Sequence, residues 1–462
     1  MSEPPALPPI GPAADSSTGP RWPIAVAFLV LMLVVGVAAG FGAYTVISGL
    51  RSAGASPSPS PTATPNGTPA TTTPPSATPP ATATPRPSPP SPAEIEAEIA
   101  RIEPAVAALR GLEQRRPVST RLITTAALRE RIAQEFADEY PAQELADLGR
   151  LYEGLGLLPP GSDLGALYQD LLGEQVIGLY DTDEKELFVV TDGPFGPLER
   201  VTTAHEYTHA LQDQHFDLDA FLPEEHDQGD RTIARLAVGE GDATLLMFEW
   251  AQQALSADEL LQYLRSSQDP AALERFAKMP AILREPLLFP YSQGFALVQD
   301  RQDAGGWAAV DALYADPPAS TEQLLHLEKY AAHEAPVEVR LPDGVAAALG
   351  EGWSLGVEDS FGELVTRIWL DEQLGASVSR EAAAGWGGDR VAFYRGPDDA
   401  WAIAWETHWD SGAEADEFRA AAAQVVGALG SAEVATRRDG AVSVLVAVDA
   451  ATLAAIQAAL RE

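Results

Sequence analysis

One short run constrains this chain more than any other: His205-Glu206-Tyr207-Thr208-His209. Its flanks, Arg200 to Phe216, place apolar or small residues at Val201, Ala204, Tyr207, Thr208, Ala210 and Leu211, and contain no Gly or Pro. That is helical spacing. Residues one turn apart on a helix share a face, so the two imidazoles can grip one ion together. Glu206 sits beside the first imidazole and can reach a water on that ion without being a ligand. Two neutral imidazoles, a Lewis acid and a general base are the minimum kit for metal-assisted hydrolysis. The bland alternative is a solvated helix face with two ordinary histidines. Against it, the chain has only seven His, and three fall between 205 and 215.

Catalytic zinc sites usually combine three protein ligands with an open position for water. Two residues compete for the third place. His215 copies the spacing of the pattern H-E-x-x-H-x-x-G-x-x-H, but Gln212 stands where that pattern needs its helix-breaking Gly. No Met-turn accompanies it; Met279 is isolated. Glu240 is the stronger candidate. It lies in Ala237-Val238-Gly239-Glu240-Gly241-Asp242-Ala243, inside a second helical segment from about Arg231 to Ala251, and the stretch Asp217 to Gly229 gives the chain room to return. Glycine costs helix stability, so the glycines flanking Glu240 predict a close approach between the two helices.

A His-Glu-x-x-His helix followed by a helix bearing Glu in a Glu-Gly-x-Ala setting resembles the gluzincin clan of zincin-fold metallopeptidases, in particular its minigluzincin-like, membrane-anchored bacterial group. The segment Thr203 to His215 is similar to that clan's first helix. Pro290-Tyr291-Ser292-Gln293-Gly294 and the run from Pro317 to His326 look like its downstream blocks. The resemblance spans roughly residues 170–335. It implies a zincin-like fold, Zn²⁺ as cofactor and peptide-bond hydrolysis. One position departs from it: thermolysin-type members carry Asp four residues after the ligand Glu to orient a ligand His, and here that position is Thr244. Asp242 and Asp213 are the available substitutes.

Composition divides the 462 residues further. Residues 1–21 form a short tail. Residues 22–50 carry no charge, and their dense apolar stretch from Ile24 to Ala43 gives about 30 Å of helix, enough to cross a bilayer. They are read as a transmembrane helix; a cleaved signal ending near Ala38-Ala39-Gly40 is the alternative. Arg21 and Arg51 flank the span equally, so the positive-inside rule is nearly silent. Residues 51–92, nearly all Ser, Pro, Thr and Ala, predict an extended stalk. These segments lead to the expectation of a single-pass cell-membrane protein with an extracytoplasmic globular part. The formal net charge of −37 falls almost wholly on that part and excludes nucleic acid as a partner. With no cysteine, any zinc must be held by His and carboxylate.

The fold class expected is α+β: a zincin-like metallopeptidase domain at 93–343 and a small α/β domain at 351–462, preceded by the transmembrane helix and stalk. The first domain opens with a helix over Ala93–Leu112 and a strand near Leu122–Thr124. A hairpin follows, with strands Val176–Tyr180 and Glu186–Val190 around an acidic turn. A strand directly before the metal helix can border a cleft and pair with an extended substrate. The small domain reads as helices at 361–374, 413–429 and 452–460 with strands at 391–394, 401–405 and 441–448. Its run from Ala382 to Arg390 predicts a tight turn burying Trp386. Tyr291 and His326 are candidates to donate a hydrogen bond to an oxyanion. His226, His333 and His408 show no ligand spacing.

The combined expectation is a membrane-tethered zinc peptidase acting on a peptide or protein. His205, His209 and Glu240 hold Zn²⁺, and Glu206 is the base. A surface binding or scaffold protein with a structural or inactive zinc site is the rival, and a non-peptide amide hydrolase would use the same residues.

Overall fold

The computed structural model describes residues 90–461, apart from 173–176, 224–226 and 267–269. The chain enters through α1 (Pro92–Arg110), β1 (Ser119–Ile123), α2 (Thr125–Glu139), α3 (Ala142–Gly154) and α4 (Leu164–Leu172). The expected hairpin follows as β2 (Gly178–Asp181) and β3 (Glu186–Val190). Lys185 closes its turn with φ 54°. β3 lies between the other two, antiparallel to β2 and parallel to β1, so β2 is an edge strand.

The motif helix is α5 (Pro197–Phe216). Pro197 suits its first turn because no intrahelical acceptor exists there for an N–H. Glu199 accepts from Gly196 N at 2.7 Å, and the helix stops at Asp217, whose φ is 56°. After the short α6 (Leu218–Phe221) comes α7 (Gly229–Ala254), which carries Glu240. The chain continues through α8 (Ala257–Ser266), α9 (Pro270–Ala277) and α10 (Ala281–Phe289). A π-helical turn, Pro290–Gly294, joins α10 to α11 (Phe295–Gly305), and α12 (Trp307–Ala315), α13 (Thr321–Leu325), α14 (Leu327–Ala331) and α15 (Val345–Leu349) complete this part.

The C-terminal part is β4 (Ser354–Asp359), α16 (Gly362–Leu374), α17 (Ala376–Ala383), β5 (Trp386–Arg395), β6 (Trp401–Trp409), α18 (Gly412–Val426), β7 (Ala432–Thr436), β8 (Val442–Ala447) and α19 (Ala450–Ala459). Its sheet has the order β4-β5-β6-β8-β7, antiparallel throughout. Both faces are covered. One joins Val391, Phe393, Trp405 and Val444 to the same apolar core as Val201 of α5 and Leu245 and Phe248 of α7. The other packs Ala404 and Leu445 against Val345 and Ile456. The two parts also join through polar groups: Trp369 Nε1 donates to Leu155 O at 3.0 Å. Gly229 N and Asp230 N, at the start of α7, donate to Asp359 Oδ1 at 2.7 Å and Ser360 O at 3.1 Å. The C-terminal sheet therefore caps the helix that carries Glu240.

Two expectations need correction. Among the described residues the fold is a mixture of helix and strand of the α+β kind, but no helix is long and apolar enough to cross a membrane. The longest, α7, carries Asp230, Arg231, Arg235, Glu240, Asp242 and Glu249 and is folded into the protein core. The transmembrane helix expected at 22–50, like the tail and nearly all of the stalk, lies outside the described residues. The single-pass membrane localisation is withdrawn. The run from Ala382 to Arg390 is also different: Trp386 is buried as expected, but it opens strand β5, with a bulge between Trp386 and Gly388. Tertiary contact makes it so, since Val337 N donates to Gly387 O at 2.6 Å and a Cβ on Gly388 would lie 2.4 Å from Val337 O.

Candidate metal centre

Helices α5 and α7 cross with His205, His209 and Glu240 facing one another. The close approach expected of the glycines beside Glu240 is not to α5, since a Cβ on Gly239 would make only an ordinary contact, 3.7 Å from Gln212 Oε1; it is between Gly241 and the π-helical turn. A Cβ on Gly241 would fall 2.3 Å from the carbonyl carbon and oxygen of Gly294, and one on Gly294 would fall 2.0 Å from Ala237 O. Only glycine lets α7 and the π-helical turn come this close, and that contact brings Tyr291 beside Glu240.

His205 Nε2 and His209 Nε2 are 3.0 Å apart. Glu240 Oε2 lies 3.2 Å from the first and 3.6 Å from the second. Donors at zinc-ligand distance around a tetrahedral ion stand roughly 3.3 Å apart, so these three atoms fit one such ion. The imidazole planes meet at 84°. Glu240 Oε2 is buried and has no aligned hydrogen-bond donor among the described residues. An orphaned, buried carboxylate oxygen facing two ring nitrogens is costly unless something cationic is shared among them. Electrostatics agrees. Burial opposes charge on His209, but Glu240 outweighs it and pushes the imidazole pKa up to about 9. Burial would likewise raise Glu240, yet the two imidazoles bring it down to about 2. In the metal-free protein the carboxylate of Glu240 thus favours a proton on His209, and the same carboxylate would favour a cation in its place.

Glu206, 1 % exposed, lies alongside. Its Oε2 accepts from Tyr180 N at 2.9 Å, so the edge strand β2 fixes the carboxylate. Burial pushes its pKa up, against the pull of His205 and His209. The Tyr291 hydroxyl hydrogen-bonds to Glu240, and burial, with Glu240 and Glu206 nearby, raises its pKa well above the usual phenol range.

The other histidines sit elsewhere. His326 Nε2 is 3.1 Å from Glu363 Oε1 of α16, with Glu328 3.8 Å from its Nδ1, so the structure pairs it with the C-terminal part and not with the metal group. His215 Nε2 donates to Glu113 O at 2.7 Å on the surface. His226 lies outside the described residues.

Neither aspartate considered as an orienter is hydrogen-bonded to either imidazole. Asp213 accepts from Tyr180 Oη and Lys185 Nζ, both at 2.9 Å. The residue that meets one of the candidate ligands is Gln212, whose Oε1 is 2.8 Å from His209 Nδ1. Sequence reasoning weighed Gln212 only as a missing glycine, although its place one turn after His209 on the same helix was a signal. Two other acidic groups, Asp213-Asp217-Asp219 and Glu322-Glu334-Asp410, also bring their oxygens together. Each already binds an ammonium: Lys185 joins Asp213 and Asp219, and Lys329 joins Glu322, Glu334 and Asp410.

Comparison with known families adds one finding. Residues 354–459 match a family model described as a domain of unknown function, DUF8575. That stretch covers the C-terminal sheet and its helices, and none of His205, Glu206, His209 and Glu240 lies in it. No curated protein and no solved structure matches the chain.

Proposed function

We propose that this chain is a zinc-dependent hydrolase of peptide bonds of the gluzincin type. The observation that carries the proposal is the meeting of His205, His209 and Glu240 at tetrahedral-ligand spacing with the unliganded carboxylate of Glu206 beside them. Three ligands leave a fourth position open, which is the mark of a catalytic zinc.

His205 Nε2, His209 Nε2 and Glu240 Oε2 would hold the ion. When bound, zinc would polarise the scissile carbonyl and acidify a water in the open position. Glu206 accepts that water's proton as its oxygen attacks the carbonyl carbon, then passes the proton to the amine nitrogen as the C–N bond breaks. Its burial makes it a stronger base than a surface carboxylate, and the Tyr180 N–H engages one oxygen while the other serves the proton. Tyr291 stays protonated at working pH and can donate to the developing oxyanion. Strand β2 is buried along its length and its Tyr180 N–H is engaged by Glu206, so it orients the base and is not free to pair with an extended substrate backbone.

One observation favours the rival reading of a structural zinc site: all four residues are at most 5 % exposed. A single experiment separates the two. Wild-type and Glu206→Gln proteins, each loaded with zinc, are incubated with an unfolded protein substrate. The proposal expects equal zinc content, cleavage by the wild type and none by the variant. Equal zinc with no cleavage by either protein establishes the structural reading.

A further inference from the structure

Gln212 is fully buried between the metal ligands and α7. Its side-chain nitrogen donates to Gly239 O at 3.0 Å and to Asp242 Oδ2 at 3.1 Å. Asp242 is itself surrounded by donors. Arg110 Nε reaches Oδ1 at 2.7 Å, Arg110 Nη2 reaches Oδ2 at 3.1 Å, and Tyr314 Oη donates to Oδ2 at 2.8 Å. Counting Gln212, four N–H or O–H groups converge on one carboxylate, and the Arg110 guanidinium, which can only donate, spans both of its oxygens. Gly239 O and Asp242 Oδ2 can therefore only accept. Both amide protons of Gln212 are committed to them, and the amide cannot turn over without losing both bonds. Its oxygen must face His209. An amide oxygen only accepts, so His209 Nδ1 carries the ring proton, and the lone pair of the neutral ring is on Nε2, the atom that faces His205 and Glu240.

We propose that Arg110, Asp242 and Gln212 form a positioning chain that holds His209 in the tautomer a cation requires, and that this chain ties the metal centre to helix α1. Arg110 is the last residue of α1; it is wholly buried, also pairs with Asp311 at 2.6 Å, and stacks over Trp307 at 4.5 Å. A guanidinium fork suits this task because it fixes both carboxylate oxygens at once. The inference deepens the zinc reading and rests on it for its purpose, but the tautomer itself is a property of the metal-free protein.

The test is Asp242→Asn. Its amide must turn an N–H toward one of the donors that converge there, which loosens the Gln212 anchor although Gly239 O still accepts from the Gln212 amide. Two quantities are measured: the His209 tautomer by ¹⁵N NMR of the metal-free protein at a pH where the ring is neutral, and affinity for the zinc ion by competition with a chelator. The wild type should show Nδ1–H. Asp242→Asn should admit the Nε2–H form alongside it and lose about 10- to 100-fold in zinc affinity, the usual scale for a disrupted ligand partner. The double variant Gln212→Glu/Asp242→Asn again offers only an acceptor to His209 and should recover the Nδ1–H form and most of the affinity. Should Asp242→Asn not fold, Gln212→Met decides, since it leaves the Arg110–Asp242 pair in place; it should give mixed tautomers and weaker zinc binding. An unchanged tautomer and unchanged affinity in the folded variants overturns the inference. A wild-type protein with the Nδ1–H tautomer but no zinc binding instead sinks the hydrolase reading and leaves the positioning chain standing.

Discussion

Gly241 and Gly294 meet backbone to backbone, and that contact sets the distance between the helix bearing Glu240 and the turn bearing Tyr291. A methyl group on either would sit inside the other segment. Gly241→Ala is therefore expected to cost about 1–3 kcal/mol by overpacking and to pull Glu240 out of register with the imidazoles. Chemical denaturation gives the stability loss, and zinc titration of the folded fraction should show weakened binding. A variant as stable and as tightly zinc-binding as the parent contradicts this contact.

Tyr291 and His326 were equal candidates in the sequence, and the structure separates them. Tyr291 bonds to Glu240, whereas His326 is engaged by Glu363. Tyr291→Phe is expected to keep zinc and lower turnover by roughly 10- to 1,000-fold, the range for a lost oxyanion donor. His326→Gln should leave turnover within about threefold. Steady-state kinetics on one peptide decides, and a reversed order of effects rejects the assignment.

The seam between the two parts makes stability depend on pH. Burial pushes Asp230 up to about 8, with Thr321 opposing and Asp389 assisting, and pushes Asp359 up to about 7. Both folded values lie above the unfolded one, near 3.9. The unfolded chain then releases these protons first as pH rises. The stabilisation is complete below about pH 4 and is lost as pH climbs through 7 to 8, by at most about 1.4 kcal/mol per pH unit for each group. Urea denaturation between pH 5 and 8 should show stability falling. Asp230→Asn should flatten that slope, and an unchanged slope speaks against a protonated Asp230.

The shared core predicts one unfolding event. Trp369, Trp405 and Phe418 belong to the same apolar cluster as Val201 and Leu245, so the C-terminal sheet and helices α5 and α7 should melt together. Calorimetry should give a single transition. Two resolved transitions, with the first unfolding residues 354–459 alone, refute it.

What the sequence disclosed and what it hid follow from distance along the chain. His205, Glu206 and His209 are legible because helical periodicity is local and places them without outside help. Glu240 is legible because glycines in a helix interior announce a close approach, although the segment Gly241 meets is the π-helical turn and not the helix of the two imidazoles. The support for His209 is not. Arg110 and Asp242 are separated by 132 positions, and nothing local in either segment marks the partner. Strand β4 has a half-exposed, partly acidic pattern and β7 is a five-residue edge, so both lack the apolar alternation by which β6 and β8 are recognised. Trp386 to Gly388 looks like a turn by composition, and its pairing with Trp409 and His408 of β6, together with the bond from Val337 N to Gly387 O, makes it extended. The uncharged stretch from 22 to 50 has the length of a bilayer span, but hydropathy alone carried that reading, and no described helix supports it.

The central claim, that Glu240 completes a cation site begun by two imidazoles, is tested most directly by zinc titration of the intact wild-type chain and of Glu240→Ala against a competing chelator. The account predicts one tightly held zinc per wild-type chain and a loss of at least about 100-fold in the variant. Equal affinity in the two proteins, or no zinc bound by the wild type, would contradict it.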